Sequence, residues 1–324
     1  MTEAAFYTVT GRDFFPGAVA LINSLRVLGH AEPAFVLDCG MEPGQRDRLE
    51  RHATVLDAPS DAPPSLLKLV APQSRPANTM VLLDADVIVT RPLTELIETV
   101  SGGRLLAFEN DHQRFFAEWG ELLDLDVEPG RPYVSTCAVF VDAALASTLL
   151  PIAHRRQLEV DRGRTWLEDG PESDPLYFLD QDVLNAILAA RLRPEQVEAL
   201  EGRLAANPPF GGLRLADPGT LRCAYRDGAA PYLLHHWARK PWLAPVRSNP
   251  YSRLLSRLLL GPDVALRLDD GELPLRLRTG PAAGAARFGV DAALTVPGAR
   301  RRLTRRSPRI KAWPNARSAG AERR

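Results

Sequence analysis

Two carboxylates stand one residue apart in Asp84-Ala85-Asp86, directly after the apolar run Met80-Val81-Leu82-Leu83 and directly before a second, Val87-Ile88-Val89. A run this apolar reads as a strand buried on both faces of a parallel sheet. The pair then falls at the strand's C-terminal edge, where open α/β sheets bind their ligands. Two acids at that spacing can share a hard divalent cation, and the cation can carry a diphosphate. The competing reading is a pair of turn or helix-capping acids ahead of Pro92.

Lysine usage narrows the search for partners. Of 40 basic residues only Lys68, Lys240 and Lys311 are lysine. A chain that takes Arg wherever a generic positive charge suffices keeps Lys where a compact ammonium is needed, as in a point-charge contact to phosphate. The cysteines, Cys39, Cys137 and Cys223, are odd in number, far apart and without CxxC spacing, so neither a disulfide framework nor a structural zinc site is indicated.

The elements that must position these residues follow from periodicity and turn chemistry. Residues 6–10 read as a first strand, Gly11-Arg12-Asp13 as a turn, and the spacing of Ala18, Leu21, Ile22, Leu25 and Leu28 as a helix entered at Pro16 and ended by Gly29. Residues 34–37 and 54–56 read as strands around a polar helix over 44–52, and 65–69 as a helix before the strand that carries the aspartates. Beyond it come a helix over 93–100, a strand over 105–108, a polar stretch over 109–132, a strand over 134–141, an exposed charged loop over 156–174 and a helix starting near Asp180. This alternation predicts an α/β fold, a doubly wound and mainly parallel twisted sheet flanked by helices.

At 324 residues and 45% hydrophobic content, the chain can hold one large α/β domain and an appendage. The divisions expected are 1–245 for the main domain, 246–298 for a C-terminal appendage and 299–324 for a tail. The appendage combines a short helix over 253–260 with a β-hairpin whose alternation, Val264, Leu266, Leu268 and then Leu273, Leu275, Leu277, passes through Asp269-Asp270-Gly271. Formal net charge is zero, but the tail holds nine Arg, one Lys and one Glu, leaving the first 298 residues at about −9. The tail is expected to be solvated and able to make weak peripheral contact with an anionic membrane face, with no specific nucleic-acid partner. With no basic leader and no apolar stretch of spanning length, the expected location is cytoplasmic.

Four stretches in order resemble glycosyltransferase family 8, the GT-A fold group that contains glycogenin and bacterial lipopolysaccharide galactosyltransferases. They are Thr8-Val9-Thr10-Gly11-Arg12-Asp13-Phe14 with the helix that follows; Lys68 sixteen positions before Asp84-Ala85-Asp86; Asp180-Gln181-Asp182-Val183-Leu184-Asn185; and His235-His236-Trp237-Ala238-Arg239-Lys240-Pro241-Trp242. The resemblance covers about residues 5 to 243. It implies a GT-A nucleotide-diphospho-sugar transferase fold and a metal-dependent retaining hexosyltransferase that takes a UDP-sugar. The acceptor, a glycan, protein or small molecule, stays open.

By the same resemblance Thr8, Thr10 and Phe14 would hold the nucleotide, with Lys68. Asp84, Asp86 and a histidine would bind Mn²⁺ or Mg²⁺, the imidazole favouring Mn²⁺. The histidine motif is one or two residues shorter than the family's and lacks its Gly, so both His235 and His236 are candidates, with His235 preferred. Asp180 would bind sugar hydroxyls, Gln181 would lie near the anomeric carbon, and Lys240 would stabilise the departing diphosphate. Gln is a poor nucleophile, and retention at such a site is described as front-face attack within an ion pair. The chain departs from the family at Tyr133, Thr136 and Ala138, where donor-sugar contacts are expected.

Two other readings compete. A catalytically inactive nucleotide- or glycan-binding protein of the same fold would account for the altered histidine motif. A haloacid-dehalogenase-type phosphatase also places Asp-x-Asp after an apolar strand, but that strand is normally an early one, and here Val87-Ile88 stands where Gly-Thr is expected.

Overall fold

The computed structural model describes residues 3–237 and 239–295. The chain opens with β1 (Ala4–Thr10), α1 (Phe15–Val27), β2 (Ala34–Asp38), α2 (Pro43–Leu49) and β3 (Thr54–Asp57). Pro16 occupies the first turn of α1, and Gly29 at φ 86° ends it in the left-handed conformation that suits glycine. Two short helices, α3 (Pro64–Leu67) and α4 (Val70–Ser74), then lead to β4 (Thr79–Leu83), β5 (Val87–Val89) and α5 (Thr94–Thr99).

The middle of the chain supplies β6 (Leu105–Glu109), α6 (Trp119–Leu123), β7 (Val134–Asp142), α7 (Ala143–Glu159) and α8 (Leu179–Arg191). Short strands follow: β8 (Val197–Leu200), β9 (Ala205–Ala206), β10 (Arg214–Asp217), β11 (Arg222–Ala224) and β12 (Leu233–His235). They precede α9 (Pro250–Leu260) and α10 (Pro281–Thr295).

The main sheet has seven strands in the order β3-β2-β1-β4-β7-β6-β8. The neighbours β3, β2, β1 and β4 run parallel, β7 is antiparallel to both β4 and β6, and β8 is parallel to β6. A second sheet, β5-β12-β9, begins where the chain leaves β4. Side chains alternate along β4, so Val81 and Leu83 join one core with α1 and α9, while Met80 and Leu82 join the other with α7 and α8. All five residues of β4 are buried.

Two expectations are corrected. The charged segment over 156–174 is not loop from its start, because α7 runs through Glu159. Gln157 is buried against the fold, and Arg156 pairs with Glu159 at 3.0 Å. Only afterwards does the chain break into short 3₁₀ turns over Arg162–Arg164 and Trp166–Glu168.

No hairpin forms over 264–277, which instead carries 3₁₀ turns at Asp270–Glu272 and Leu275–Leu277. Leu266, Leu268, Leu273 and Leu277 all enter the core shared with α1 and α9. Their backbone is satisfied from outside a ladder: Leu266 N–H donates to Asn23 Oδ1 at 3.0 Å, and Leu268 N–H to Leu259 O at 2.8 Å. The basic segment 299–324 lies outside the described residues. Among the described residues no helix is long and apolar enough to cross a membrane.

Candidate active site

The chain leaves the main sheet at Leu83, turns through Asp84-Ala85-Asp86 and enters the second sheet at Val87. The turn is tied to both sheets. Asp84 N–H donates to Cys137 O of β7 at 2.9 Å, and His236 N–H donates to Asp86 O at 3.2 Å. In the second sheet β12 runs antiparallel to β5 with His235 opposite Val87, which carries the imidazole to the aspartates. One ligand atom each from Asp84, Asp86 and His235 then lie within 4.8 Å of one another. His235 Nε2 is 3.4 Å from Asp86 Oδ1 and 3.7 Å from Asp84 Oδ2.

Gly17 makes this approach possible. A Cβ there would sit 2.4 Å from Ala85 O and 2.8 Å from the Trp242 ring, so the first turn of α1 can lie against the acidic turn only without a side chain. Trp242 closes the other side, donating from Nε1 to Asp13 O at 2.6 Å and meeting Phe14 edge-on at 6.2 Å between centroids.

Both singled-out lysines converge on the acids. Lys68 Nζ bridges Asp84 Oδ1 at 2.5 Å and Asp180 Oδ2 at 2.7 Å. Lys240, buried, pairs with Asp86 and donates to His236 O at 2.6 Å and Trp237 O at 3.2 Å. Those three partners use all the donors of its ammonium, so a contact with a diphosphate requires one of them to be exchanged.

The protonation pattern follows from crowding of charge in a desolvated space. Burial opposes the charged form of each group, and the neighbours decide which survives. Burial alone would lower Lys68, but Asp180 and Asp84 outweigh it and hold the ammonium well above its ordinary range. Burial opposes ionisation of Asp86, yet Lys240 and His235 keep it far below the carboxylate range. For Asp84 burial prevails and raises the carboxyl despite Lys68. Burial would likewise lower His235, but Asp86 and Cys137 raise it to about 10 in the absence of a cation.

His236 does not join the group. Its ring is buried 5.0 Å from the Tyr251 ring and 5.9 Å from that of Phe210, with Nδ1 unpartnered among the described residues. Burial and then Lys240 lower it to about 4.

The N-terminus of α8 brings Asp180 and Gln181 to the same edge. Thr136 Oγ1 donates to Asp180 Oδ2 at 3.1 Å, and Thr136 N–H donates to Gln181 Oε1 at 3.3 Å. Asn185 locks the helix onto β7 by accepting from Val134 N–H and donating to Val134 O, both at 2.8 Å. Leu179, at φ 22°, takes a backbone conformation that L residues avoid directly before the pair.

Of the expected nucleotide residues, Phe14 is partly buried beside Trp242, with Lys240 Nζ 5.6 Å from its ring centroid. Thr8 and Thr10 are buried. Thr10 Oγ1 turns to Gly11 O at 3.4 Å, while Thr8 Oγ1 has no partner among the described residues. With Gln157, Lys68, Asp84, Thr136 and Asp180, Thr8 lines a cavity of about 30 Å³, room for a water rather than a sugar.

Three residues escaped the sequence reading in their actual role. Asp182, fully buried, accepts from Tyr133 Oη at 2.6 Å, Arg114 Nε at 3.1 Å and Phe178 N–H at 2.7 Å. Arg114 also lies over the Phe116 and Phe178 rings at 4.8 and 4.9 Å. Tyr133 was visible only as a departure from a pattern, and nothing in the spacing of Arg114 marks it.

No family model matches the chain, and no curated protein does. Among solved structures, an active-site mutant of LgtC aligns over 83% of this chain and all of its own at TM-score 0.57 and 14% identity. The galactosyltransferase LgtC in complex with donor and acceptor sugar analogues aligns over 80% of this chain and 98% of its own, at TM-score 0.52 and 15% identity. WbbM, a bifunctional glycosyltransferase, aligns over 82% of this chain and half of its own length at TM-score 0.52 and 13% identity. The sheet order, the placement of the acidic turn at its edge and these matches agree: the chain has the GT-A glycosyltransferase fold.

Proposed function

We propose that the chain is a metal-dependent retaining glycosyltransferase that moves a hexose from a nucleotide-diphosphate sugar, a UDP-sugar, to a glycan, protein or small-molecule acceptor. The observation that carries this reading is the meeting of Asp84, Asp86 and His235 at the junction of two sheets, beside Lys68, Lys240 and Asp180.

Two carboxylates and one imidazole fit a divalent cation, and the nitrogen donor favours Mn²⁺ over Mg²⁺. Bound there, the ion would neutralise charge developing on the leaving diphosphate. The chain's own residues do the rest. Lys68 fixes the spacing between Asp84 and Asp180, so the carboxylate assigned to the sugar is held at a set distance from the one assigned to the metal. Thr136 orients both Asp180 and Gln181, whose amide stands where the anomeric centre is proposed to lie. Lys240 keeps Asp86 ionised and can pass one donor to the diphosphate. Phe14, beside Trp242, offers an apolar face for the base.

Calorimetric titration of UDP with and without Mn²⁺, on the intact chain and on Asp86→Ala, tests this. Binding that needs both the metal and Asp86 supports it. Failure to bind UDP under any metal condition overturns the UDP-sugar assignment.

A further inference from the structure

Away from the acidic turn, α9, α10 and the turn over 275–280 line an open cavity of about 540 Å³. Its floor is apolar, with Leu215, Val246, Leu260 and Val290. Five arginines line it: Arg253, Arg257, Arg276, Arg278 and Arg287. Arg257 is paired with Asp263 at 2.6 Å, but the other four have no carboxylate partner among the described residues. Their hydrogen bonds go to neutral carbonyls or are not made at all. Arg276 donates to Pro241 O at 2.6 Å, Arg278 to Leu273 O at 2.7 Å, and Arg287 to Arg276 O and Arg278 O at 3.1 and 3.2 Å. The lining contains one carboxylate, Asp291, and its Oδ1 accepts from Ser248 N–H.

Such an arrangement holds uncompensated positive charge in a partly desolvated space. Arg276 shows it most clearly: its Nε is buried without a partner among the described residues, and burial lowers the guanidinium from its ordinary range. Desolvating a cation without a counter-charge is costly, and an anion entering the cavity would offset that cost. Planar guanidinium groups match phosphoryl oxygens in bidentate fashion, and the apolar floor accommodates the organic body the phosphate is attached to. The volume suits a ligand larger than a single phosphate ion.

We infer that this cavity is a binding site for a phosphorylated organic molecule, with Arg253, Arg276, Arg278 and Arg287 holding the phosphoryl group. The inference does not rest on the nucleotide-sugar reading. The cavity contains none of the residues assigned to metal or donor, though Pro241, one of its walls, directly follows Lys240.

Inorganic pyrophosphate titrated calorimetrically into the full chain in EDTA is the test, since EDTA removes the divalent route to Asp84 and Asp86. Binding that weakens with rising salt is expected, together with a loss of about tenfold in Arg276→Gln. Arg253 is exposed and its side chain has no hydrogen-bond partner among the described residues, so Arg253→Gln leaves the fold intact and is expected to weaken binding about threefold. Co-sedimentation with phosphatidylglycerol but not phosphatidylcholine vesicles, weakened in both variants, would show that the phosphoryl group arrives on a lipid. Weakened pyrophosphate binding with unchanged vesicle behaviour would show a soluble ligand. No pyrophosphate binding, or binding that both variants leave intact, overturns the site.

Discussion

Asp182 and His236 are buried ionisable side chains that the proposed chemistry does not use, and their protonation pulls stability in opposite directions. Burial raises the Asp182 carboxyl to about 6, against the opposing pull of Tyr133 and Arg114. The folded chain therefore binds that proton more tightly than the unfolded chain, and the group's contribution falls as pH rises from about 4 to 6. Burial lowers His236 to about 4, so its contribution is complete above about 6.5 and is lost as pH falls through 4. Differences against variants separate the two. The unfolding free energy of wild type minus Asp182→Asn should decline by about 2 to 3 kcal/mol from pH 4 to pH 6. That of wild type minus His236→Phe should rise by about 3 kcal/mol from pH 4 to 6.5. Urea unfolding in EDTA at four pH values measures both, and a flat difference for either variant would contradict the protonation state assigned to it.

At the scale of elements, α1 is the part on which the site and the C-terminal region both depend. Its first turn presses on the acidic turn through Gly17, and its last part binds α9 and the following segment through Asn23. The Asn23 amide donates to Leu258 O and Leu266 O, both at 2.7 Å, and accepts from Leu266 N–H. Asn23→Ala leaves buried backbone groups unpaired and should cost about 3 kcal/mol in urea unfolding. Gly17→Ala should cost about 1 to 3 kcal/mol in the same unfolding measurement and weaken Mn²⁺-dependent UDP binding at least about tenfold, because the clash falls on Ala85 O between the two carboxylates and on the Trp242 ring.

Much of this was legible because it lies in local pattern. An apolar run broken by two acids and flanked by turn residues favours a strand that ends there, and Val183, Leu184, Ile187 and Leu188 carry the helical period of α8. The leucines over 264–277 misled because Leu266, Leu268, Leu273 and Leu277 are buried without a ladder, and Asn23, 243 residues earlier than Leu266, supplies the backbone partners of Leu266 that a neighbouring strand would otherwise provide. The strands β9 and β12, two and three residues long, have no period to detect. β12 forms on the edge of β5 and β9 on the edge of β12, and the placement of His235 rather than His236 beside the aspartates follows from the register of β12 on β5 and from the bond of His236 N–H to Asp86 O.

For the molecule as a whole, the consequence is that the proposed cation would join two sheets. Asp84 and Asp86 belong to the turn that leaves β4, and His235 to the end of β12, so no single sheet contains the ligand set. The same acids pair with Lys68 and Lys240, and burial acts against the charge of Asp84, which a bound cation would offset. A ligand that binds the folded chain and not the unfolded one raises stability by mass action, about 2.7 kcal/mol at a hundredfold excess over Kd. Mn²⁺ with UDP should therefore raise the melting temperature by a few degrees, about the response expected of a chain this size. His235→Ala should abolish most of the rise, since it removes the one ligand contributed by the second sheet. His236→Phe should retain it, since that ring packs against Tyr251 and Phe210. Scanning calorimetry on the three proteins, each with and without Mn²⁺ and UDP, decides the matter. An equal rise in wild type and His235→Ala would show that the second sheet takes no part in holding the ion.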